Sequence, residues 1–321
     1  MLTISSGATL QIYNSTVDLE KLFVLTGNGT ATTLNIGAGT GNNIIGQMTL
    51  NGACIFNAAT GSALTLSGTL TGSGSLIKTG AGTNIIASGV TANYSGGTTV
   101  SNGVLVVNGS LSGAVTVASG AFLGGNGTAG GAVTIQNGSL LPGDLTTATP
   151  GTMNLGSLTM NEGAAAFHLS SSPDSGNDQV AVSGGLTLSG TSTLQILPQA
   201  FMNVGDVYTL FTYGGSTLAS TATNNLQVTA PAGFAFSIVD PATTPGSIKI
   251  HVDQAIGNEI WTGQSTAIWN TSDINWNRNA NNVAFNNGDY VSFDDSSTVT
   301  NITLSGTLQV GSVTMNNYSS A

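Results

Sequence analysis

Residues 98–143 read TTVSNGVLVVNGSLSGAVTVASGAFLGGNGTAGGAVTIQNGSLLPG, and three copies of one short pattern align within this stretch. The steps between copies are 17 and 18 residues, too short for a propeller blade and too strand-like for a helical repeat. They suit one coil of a parallel β-helix, in which successive strands stack about 4.8 Å apart. The alignment matches Val100 with Val117 and Ile135, Gly103 with Gly120 and Gly138, and Leu105 with Phe122 and Leu140.

A triplet of an apolar residue, Thr and a second apolar residue recurs along the whole chain. In a short strand this places two apolar side chains on one face and Thr on the other. Gly usually follows within a few residues, where its tolerance of positive φ allows a tight corner. Since such a short strand buries little surface alone, we predict that coiling stacks the strands around one continuous core. The copies lie at residues 2–4, 48–50, 64–66, 115–117, 133–135, 158–160, 186–188, 302–304 and 313–315.

The composition argues against several classes of partner. Among 321 residues, 6% are charged, and 14 acidic residues outweigh 4 basic ones for a net charge of −10. The basic residues are too scattered to neutralise a row of phosphates, so we expect no nucleic-acid partner, and an anionic membrane surface is disfavoured. They are Lys21, Lys78, Lys249 and Arg278.

The N-terminus and the apolar runs bear on export. No apolar run approaches the roughly 20 residues of a membrane helix, so we expect no membrane-spanning segment in this fragment. The first residues lack the basic and apolar regions of a signal peptide. The sequence therefore indicates either a protein that stays inside the cell or a piece beginning partway along a longer exported chain.

Residues 72–83 read GSGSLIKTGAGT, and residues 93–100 read NYSGGTTV. This stretch resembles the autotransporter-associated β-strand repeat, whose pattern runs G-x-G-x-L-x-K-x-G-x-G-T, a short apolar strand, then N-x-Y-S-G-G-T-T-V. Asn84 takes the place of the usual apolar residue, and Asn93 adjoins Tyr94 directly, which predicts a bulged strand between the two halves. The repeat positions, with an expected structural role, are Gly72, Gly74, Leu76, Lys78, Gly80, Gly82, Asn93, Tyr94, Gly96, Gly97, Thr99 and Val100.

The resemblance implies a passenger region of a large exported bacterial surface protein. Such a region is a right-handed parallel β-helical stalk, with a translocator barrel expected elsewhere in the full-length chain. The implied location is extracellular or at the cell surface, anchored through the outer membrane in the full-length protein. The implied role is structural or adhesive and not enzymatic, with host or environmental surfaces or glycans as partners and no cofactor. A polysaccharide-binding or polysaccharide-cleaving β-helix protein is the alternative.

The organisation expected along the chain has three parts. Residues 1–143 are predicted as β-helix, with the repeat motif at 72–107. Residues 144–252 contain longer strands and prolines and are predicted as an irregular β segment or a β-sandwich-like cap. Residues 253–321 are predicted as a Trp-rich cap that opens a second β-helical unit, because aromatic bulk can seal the end of a rod.

Side chains capable of catalysis are sparse and do not converge. Cys54 is flanked by apolar residues and is predicted to be a core residue, without a disulfide partner. His168 and His251 have no second ligand at metal spacing. The Asp174-Ser175-Gly176 triplet of aspartic proteases occurs once, whereas the chemistry requires two carboxylates. A G-x-G-x-x-G match at 125–130 precedes a strand and not the helix that dinucleotide binding needs.

Two residue sets leave a binding function open. Asp289, Asp294 and Asp295 could hold calcium, or Asp289 could cap a turn while the other two solvate a strand end. Trp261, Trp269 and Trp276 are candidates for glycan contact through ring stacking, and packing at the cap is the alternative. We expect no metal site.

Overall fold

The structure is a computed structural model that describes residues 1–15, 18–143, 149–215, 218–278 and 280–316. Its regular secondary structure is almost entirely β-strand, so the predicted all-β class is confirmed. The first strands are β1 Leu2–Ile4, β2 Leu10–Tyr13, β3 Phe23–Ala38, β4 Asn42–Ile44, β5 Met48–Ala58, β6 Ala63–Leu66, β7 Leu70–Gly72, β8 Ser75–Thr79, β9 Thr83–Ile86, β10 Thr91–Ala92, β11 Thr98–Val100, β12 Gly103–Val107, β13 Ser110–Leu111, β14 Val115–Val117, β15 Ala121–Gly125, β16 Thr128–Gln136 and β17 Ser139–Pro142. The next are β18 Thr152–Asn161, β19 Ala164–Leu169, β20 Gln179–Val182, β21 Leu186–Ser189, β22 Ser192–Pro198, β23 Val207–Tyr213, β24 Leu226–Thr229, β25 Ala235–Ile238 and β26 Ser247–Gln254, with a 3-10 turn at Ser220–Asn225. The last are β27 Asn258–Trp261, β28 Ile268–Trp269, β29 Trp276–Arg278, β30 Asn281–Val283, β31 Tyr290–Asp294, β32 Thr303–Leu304 and β33 Ser312–Asn316.

The strands up to β24 form three stacks of parallel strands, which the chain visits in turn on every coil. Stack I contains β1, β7, β10, β13, β20, the end of β23 and the first parts of β3, β5, β16 and β18. Stack II contains β2, β8, β11, β14, β21 and the remaining parts of those four long strands. Stack III contains β4, β6, β9, β12, β15, β17, β19, β22 and β24. The arrangement is the predicted parallel β-helix.

The core runs along the middle of the coils as ladders of inward side chains. In stack I, Leu70 pairs with Ala92, Ala92 with Leu111, and this column continues up to Val182. Strands such as β11 and β14 bury alternate residues, as a period of two requires. The buried side chains of all these coils belong to one contiguous cluster. Each coil therefore covers the apolar face of its neighbours, as the triplets predicted.

The aligned repeat is confirmed in one stack and wrong by one residue in another. Val100, Val117 and Ile135 pair in register, as predicted. Leu105, however, pairs with Leu123, and Phe122 points outward and is half-buried. The corner before β15 has one residue more than the corner before β12, so matching Leu105 to Phe122 placed the aromatic ring on the wrong face.

Parallel stacking continues beyond the expected boundary at residue 143. Residue 144 itself lies outside the described residues, but β18 pairs with β16 in stacks I and II. Among the described strands, antiparallel pairing begins at β23, which pairs with β26, and β26 in turn pairs with β25. The irregular segment is therefore a short antiparallel addition to the last coil.

Glycine forms a column at the corner between stacks I and II. At Gly96, an added Cβ would lie 2.5 Å from the carbonyl oxygen of Gly74 in the preceding coil. Only a residue without a Cβ allows the backbones to approach this closely. This requirement explains much of the glycine content. The column contains Gly27, Gly52, Gly74, Gly96, Gly113, Gly131, Gly156, Gly184 and Gly214.

The corner between stacks II and III has a second column, in which residues take positive φ. Most are glycine, but Glu162 adopts φ 53° there, on the solvent side. A side chain with a Cβ is strained in this region of φ/ψ space. The column contains Asn14, Gly39, Gly61, Gly80, Gly103, Gly120, Asn137, Glu162 and Gly190.

Glu162→Gly is expected to raise the free energy of unfolding by about 1 kcal/mol, because it removes left-handed strain at an exposed position. Urea unfolding of the two proteins measures the difference. Glu20→Gly is the matched control, since Glu20 is also exposed and does not have positive φ. A loss of stability in Glu162→Gly equal to that of the control would contradict the strain argument.

The last strands form a second unit with its own core, which we call the tryptophan-rich unit (residues 258–316). Its strand β31 pairs in parallel with both β27 and β33, and β28 pairs in parallel with β32. The strands β29 and β30 add an antiparallel edge. The pairing within this unit is therefore mixed, with parallel and antiparallel strands.

Candidate functional site

The repeat segment (residues 72–100) runs from the end of β7 to β11 and spans more than one coil. Leu76 and Val100 point into the core, and Thr99 points outward. Asn93 donates its backbone N–H to Leu70 of the preceding coil. The glycines hold the corners: a Cβ at each would lie against a backbone carbonyl of a neighbouring coil. These positions are Gly72, Gly74, Gly80, Gly82, Gly96 and Gly97.

Lys78 lies in an otherwise apolar ladder, between Phe56 and Val100. Its side chain is fully buried, and Nζ donates to the carbonyl oxygens of Thr79 at 2.7 Å, Gly80 at 2.7 Å and Asn102 at 3.1 Å. All three ammonium donors are therefore satisfied, and they connect two successive corners. Burial lowers the pKa of Lys78 to about 8. The lysine acts as an internal clamp between coils.

Tyr94 and Asn84 are the other buried polar groups of the segment. The Tyr94 hydroxyl forms a 2.6 Å hydrogen bond with the Thr98 hydroxyl, and burial raises the pKa of Tyr94. Asn84 is buried, and its amide atoms make no hydrogen bond within the described part of the chain. Asn84 pairs in register with Leu64 and Leu105, so the bulge predicted in this strand is absent. The strand β9 keeps its register despite the buried asparagine, because it pairs with β6 on one side and with β12 on the other.

The outer face of stack II has a column of threonines, one per coil. Thr99 pairs with Thr116, Thr116 with Thr134, and the pairing continues through Thr159 to Thr187. We call these five residues the outer threonine column. Strands in register repeat about every 4.8 Å, so the hydroxyls form a regular, uncharged row. The same face also shows an asparagine ladder, in which Asn57 Nδ2 donates to Asn35 Oδ1 at 2.6 Å.

The three tryptophans lie in the core of the tryptophan-rich unit. Trp261 and Trp276 make an edge-to-face contact with ring centroids 5.0 Å apart, and Trp269 packs on Trp276 at 4.9 Å. All three side chains are buried. A sugar-stacking platform needs exposed ring faces, so this packing favours the cap interpretation.

The carboxylates considered for calcium do not converge. Asp289 is buried and accepts hydrogen bonds from the backbone N–H of Gly257 and Asn286, both at 2.7 Å. Asp294 is bound by Ser296. Across the described ranges, no group of three or more Asp, Glu, His or Cys side chains is arranged to hold a metal ion. Asp289 thus caps a turn, as the alternative interpretation had it.

Both histidines lie beside an aspartate. His168 Nδ1 is 2.8 Å from Asp178 Oδ2, and His251 Nδ1 is 2.6 Å from Asp253 Oδ1. Asp178 also accepts the backbone N–H groups of His168 and Gly151, and burial raises its pKa. Among the residues that the structure describes, no hydroxyl or thiol is hydrogen-bonded to either imidazole. Cys54 lies in the core, as predicted, and burial raises the pKa of its thiol.

A buried ionic cluster lies within the tryptophan-rich unit, and the sequence did not indicate it. Arg278 bonds to both Glu259 and Asp289, and all three side chains are buried. Burial raises the pKa of Glu259 to about 7, against the opposing effect of Arg278. Arg278 is 19 positions from Glu259 and 11 positions from Asp289, so only the fold brings the three residues together. The one feature of the sequence that could have drawn attention to this cluster is that the chain has only four basic residues, of which Arg278 is the single arginine.

None of the helical structure in the described residues is long and apolar enough to cross a membrane. No family model matches the chain, and no curated protein matches it.

Proposed function

We propose that this chain is a structural, non-catalytic stalk, a right-handed β-helical passenger of a surface protein exported by an autotransporter-like route. The observation that carries the proposal is the filled interior: inward ladders run through every coil from β1 to β24, and the outside is nearly uncharged. The resemblance of the repeat segment to the autotransporter-associated repeat supports the export route. The proposed location is the cell surface or the extracellular space, with anchoring through the outer membrane in the full-length protein.

Adhesion is the proposed activity of the outer faces, toward host or environmental surfaces or glycans. A single hydroxyl contributes little binding energy, but the outer threonine column repeats the same group on successive coils. Linked weak contacts raise the overall affinity far above that of each contact alone. The regular row therefore supports multivalent attachment to an extended surface.

A bead-retention assay tests this proposal. Beads coated with the protein are washed over cellulose, chitin, mucin and polystyrene, and the fraction of beads retained is measured. Replacing Thr116, Thr134 and Thr159 together by Lys is expected to lower bead retention about 100-fold, because avidity multiplies individual losses. The matched control replaces Thr65, Thr83 and Thr193, which face outward on stack III, by Lys. Equal retention of both triple variants, or no retention of the natural protein on any surface, would contradict adhesion by this face.

Polysaccharide cleavage is the second candidate, and the His168–Asp178 pair is the feature that favours testing it. Glycosidic cleavage uses two carboxyl groups flanking the scissile bond. We expect no release of reducing ends or unsaturated products from neutral or acidic polysaccharides. Cleavage that is lost in His168→Gln would establish an enzyme in place of a stalk.

A further inference from the structure

A cavity of about 500 Å³ lies where the end of the β-helix meets the tryptophan-rich unit. Asn203 and Asp253 line it from the β-helix side, and Arg278, Asn281 and Asn286 line it from the other unit. We call it the junction cavity. Its volume falls within the range of small-molecule sites, roughly 300–1,000 Å³, and junctions between folded units are common places for such sites.

Five of the eight lining residues carry planar polar groups, namely three amides, one carboxylate and one guanidinium, and the other three are Val204, Val283 and Ala284. An amide has both donors and an acceptor, and a carboxylate accepts. Asp253 already bonds through Oδ1 to Ser237 and His251, and Arg278 already donates to Glu259, Asp289 and the carbonyl oxygen of Ala255. A ligand that both donates and accepts at closely spaced positions can pair with such a set. Adjacent hydroxyl groups have this property.

One wall of the cavity is rigidly held. Arg278, with 6% of its surface exposed, is fixed by Glu259 and Asp289. Asp289 in turn accepts the backbone N–H of Asn286 at 2.7 Å, which fixes the backbone that carries another lining side chain. Groups held in place before binding lose less entropy when the ligand arrives.

The charge around the cavity disfavours an anion. The positive charge of Arg278 is offset by Glu259 and Asp289, and Asp253 adds a carboxylate to the lining. The whole chain has a net charge of −10. A phosphate or a uronate would therefore meet excess negative charge, whereas a neutral polyol would not.

Two exposed aromatic rings lie at the same junction. Phe201 and Tyr290 have 45% and 41% of their surface exposed, and their ring centroids are 6.0 Å apart in an edge-to-face contact. Phe201 precedes Asn203 in one loop, and Tyr290 follows Asp289. Aromatic rings present apolar faces against which the C–H faces of sugars pack.

We propose that the junction cavity binds a neutral oligosaccharide, with hydroxyls bonded to Asn203, Asp253 and Asn286 and the Phe201–Tyr290 pair packing alongside. None of the residues that line the cavity belongs to the outer threonine column. Oligosaccharide binding there goes beyond the proposed stalk function and does not depend on the export route or on adhesion by the outer faces.

Isothermal titration calorimetry of the intact protein tests the proposal. The neutral ligands are gluco-, manno-, galacto-, xylo- and N-acetylglucosamine oligosaccharides. Oligouronates and sulfated oligosaccharides are the charged comparison. At least one neutral series is expected to bind. Asn286→Ala and Tyr290→Ala are each expected to weaken that binding about tenfold or more. Tyr13→Ala, at a tyrosine with 72% of its surface exposed in the first coil, is the matched control and is expected to bind normally.

Thermal unfolding of each variant shows whether the fold is retained, and Asn286→Ala keeps the backbone N–H that Asp289 binds. Three results would overturn the proposal: no binding of any neutral series, preferential binding of the charged series, or undiminished binding in both folded cavity variants.

Discussion

Lys78→Ala is expected to lower the free energy of unfolding by about 3–5 kcal/mol. The substitution removes a fully buried side chain from the inward ladder and leaves a cavity between Phe56 and Val100. It also removes the donor from the carbonyl oxygens of Thr79, Gly80 and Asn102. Chemical denaturation with circular dichroism detection measures the loss.

Two variants separate the causes of that loss. Lys78→Met fills most of the cavity but does not supply donors, so about 1–3 kcal/mol of destabilisation should remain. Lys21→Ala is the control at an exposed lysine and should change stability by less than about 0.5 kcal/mol. If Lys78→Met were as stable as the natural protein, the hydrogen bonds of the ammonium would contribute nothing to stability.

The same lysine predicts a pH dependence. Its folded-state pKa is about 8, below the value of roughly 10.4 in an unfolded chain, so the unfolded state binds the proton more tightly. Stability conferred by Lys78 should therefore rise with pH between about 8 and 10. The stability difference between the natural protein and Lys78→Met isolates this effect, because both proteins contain Cys54 and Tyr94. A difference that stays constant over this window would contradict the burial argument.

Gly96→Ala is the second substitution with a large expected effect, a loss of about 3 kcal/mol. Its Cβ would lie 2.5 Å from the oxygen and 2.6 Å from the carbon of the Gly74 carbonyl. Backbone atoms surround this position, so relief requires a shift of one coil against the next. The clash should also weaken neighbouring corners, and hydrogen exchange would locate that weakening.

Gly185→Ala is the matched control, in the same fold and with the same chemical change. Gly185 has no atom of another part of the chain within 4 Å of its Cβ position, and its φ is not in the left-handed region. Alanine there should be neutral or stabilising by about 0.5 kcal/mol, because it restricts the unfolded chain. An equal loss of stability in both variants would mean that the close approach of neighbouring backbones does not explain the column of glycines.

The sequence was sufficient to predict the architecture because the signal is local and repeated. Each triplet indicates which face of its strand is buried, and the glycines indicate where the chain turns. Phe122 shows the limit of this reasoning: corners differ in length by one residue, and only the pairing of both flanking strands shows where the extra residue lies. The extension of the stacks past residue 143 was missed because longer corners there obscure the period.

The candidate sites were less accessible to sequence reasoning. The sequence left the three tryptophans open between glycan contact and packing at the cap; the structure buries those rings, whereas Phe201 and Tyr290 are exposed at the junction. The junction cavity combines residues from 203 to 286 across two units. No spacing rule connects such residues, since their proximity depends on how the units pack.

Electron–electron double resonance between spin labels on the outer face of stack II tests the central claim, a single solenoid of stacked coils. Labels would replace Thr99 and Thr187 in one protein, and Ile77 and Thr187 in a second, both in a Cys54→Ala background. Four strand spacings separate the first pair and five the second. We expect separations of about 19 Å and about 24 Å. Separations beyond about 35 Å, or no increase from the first pair to the second, would contradict the stacked solenoid.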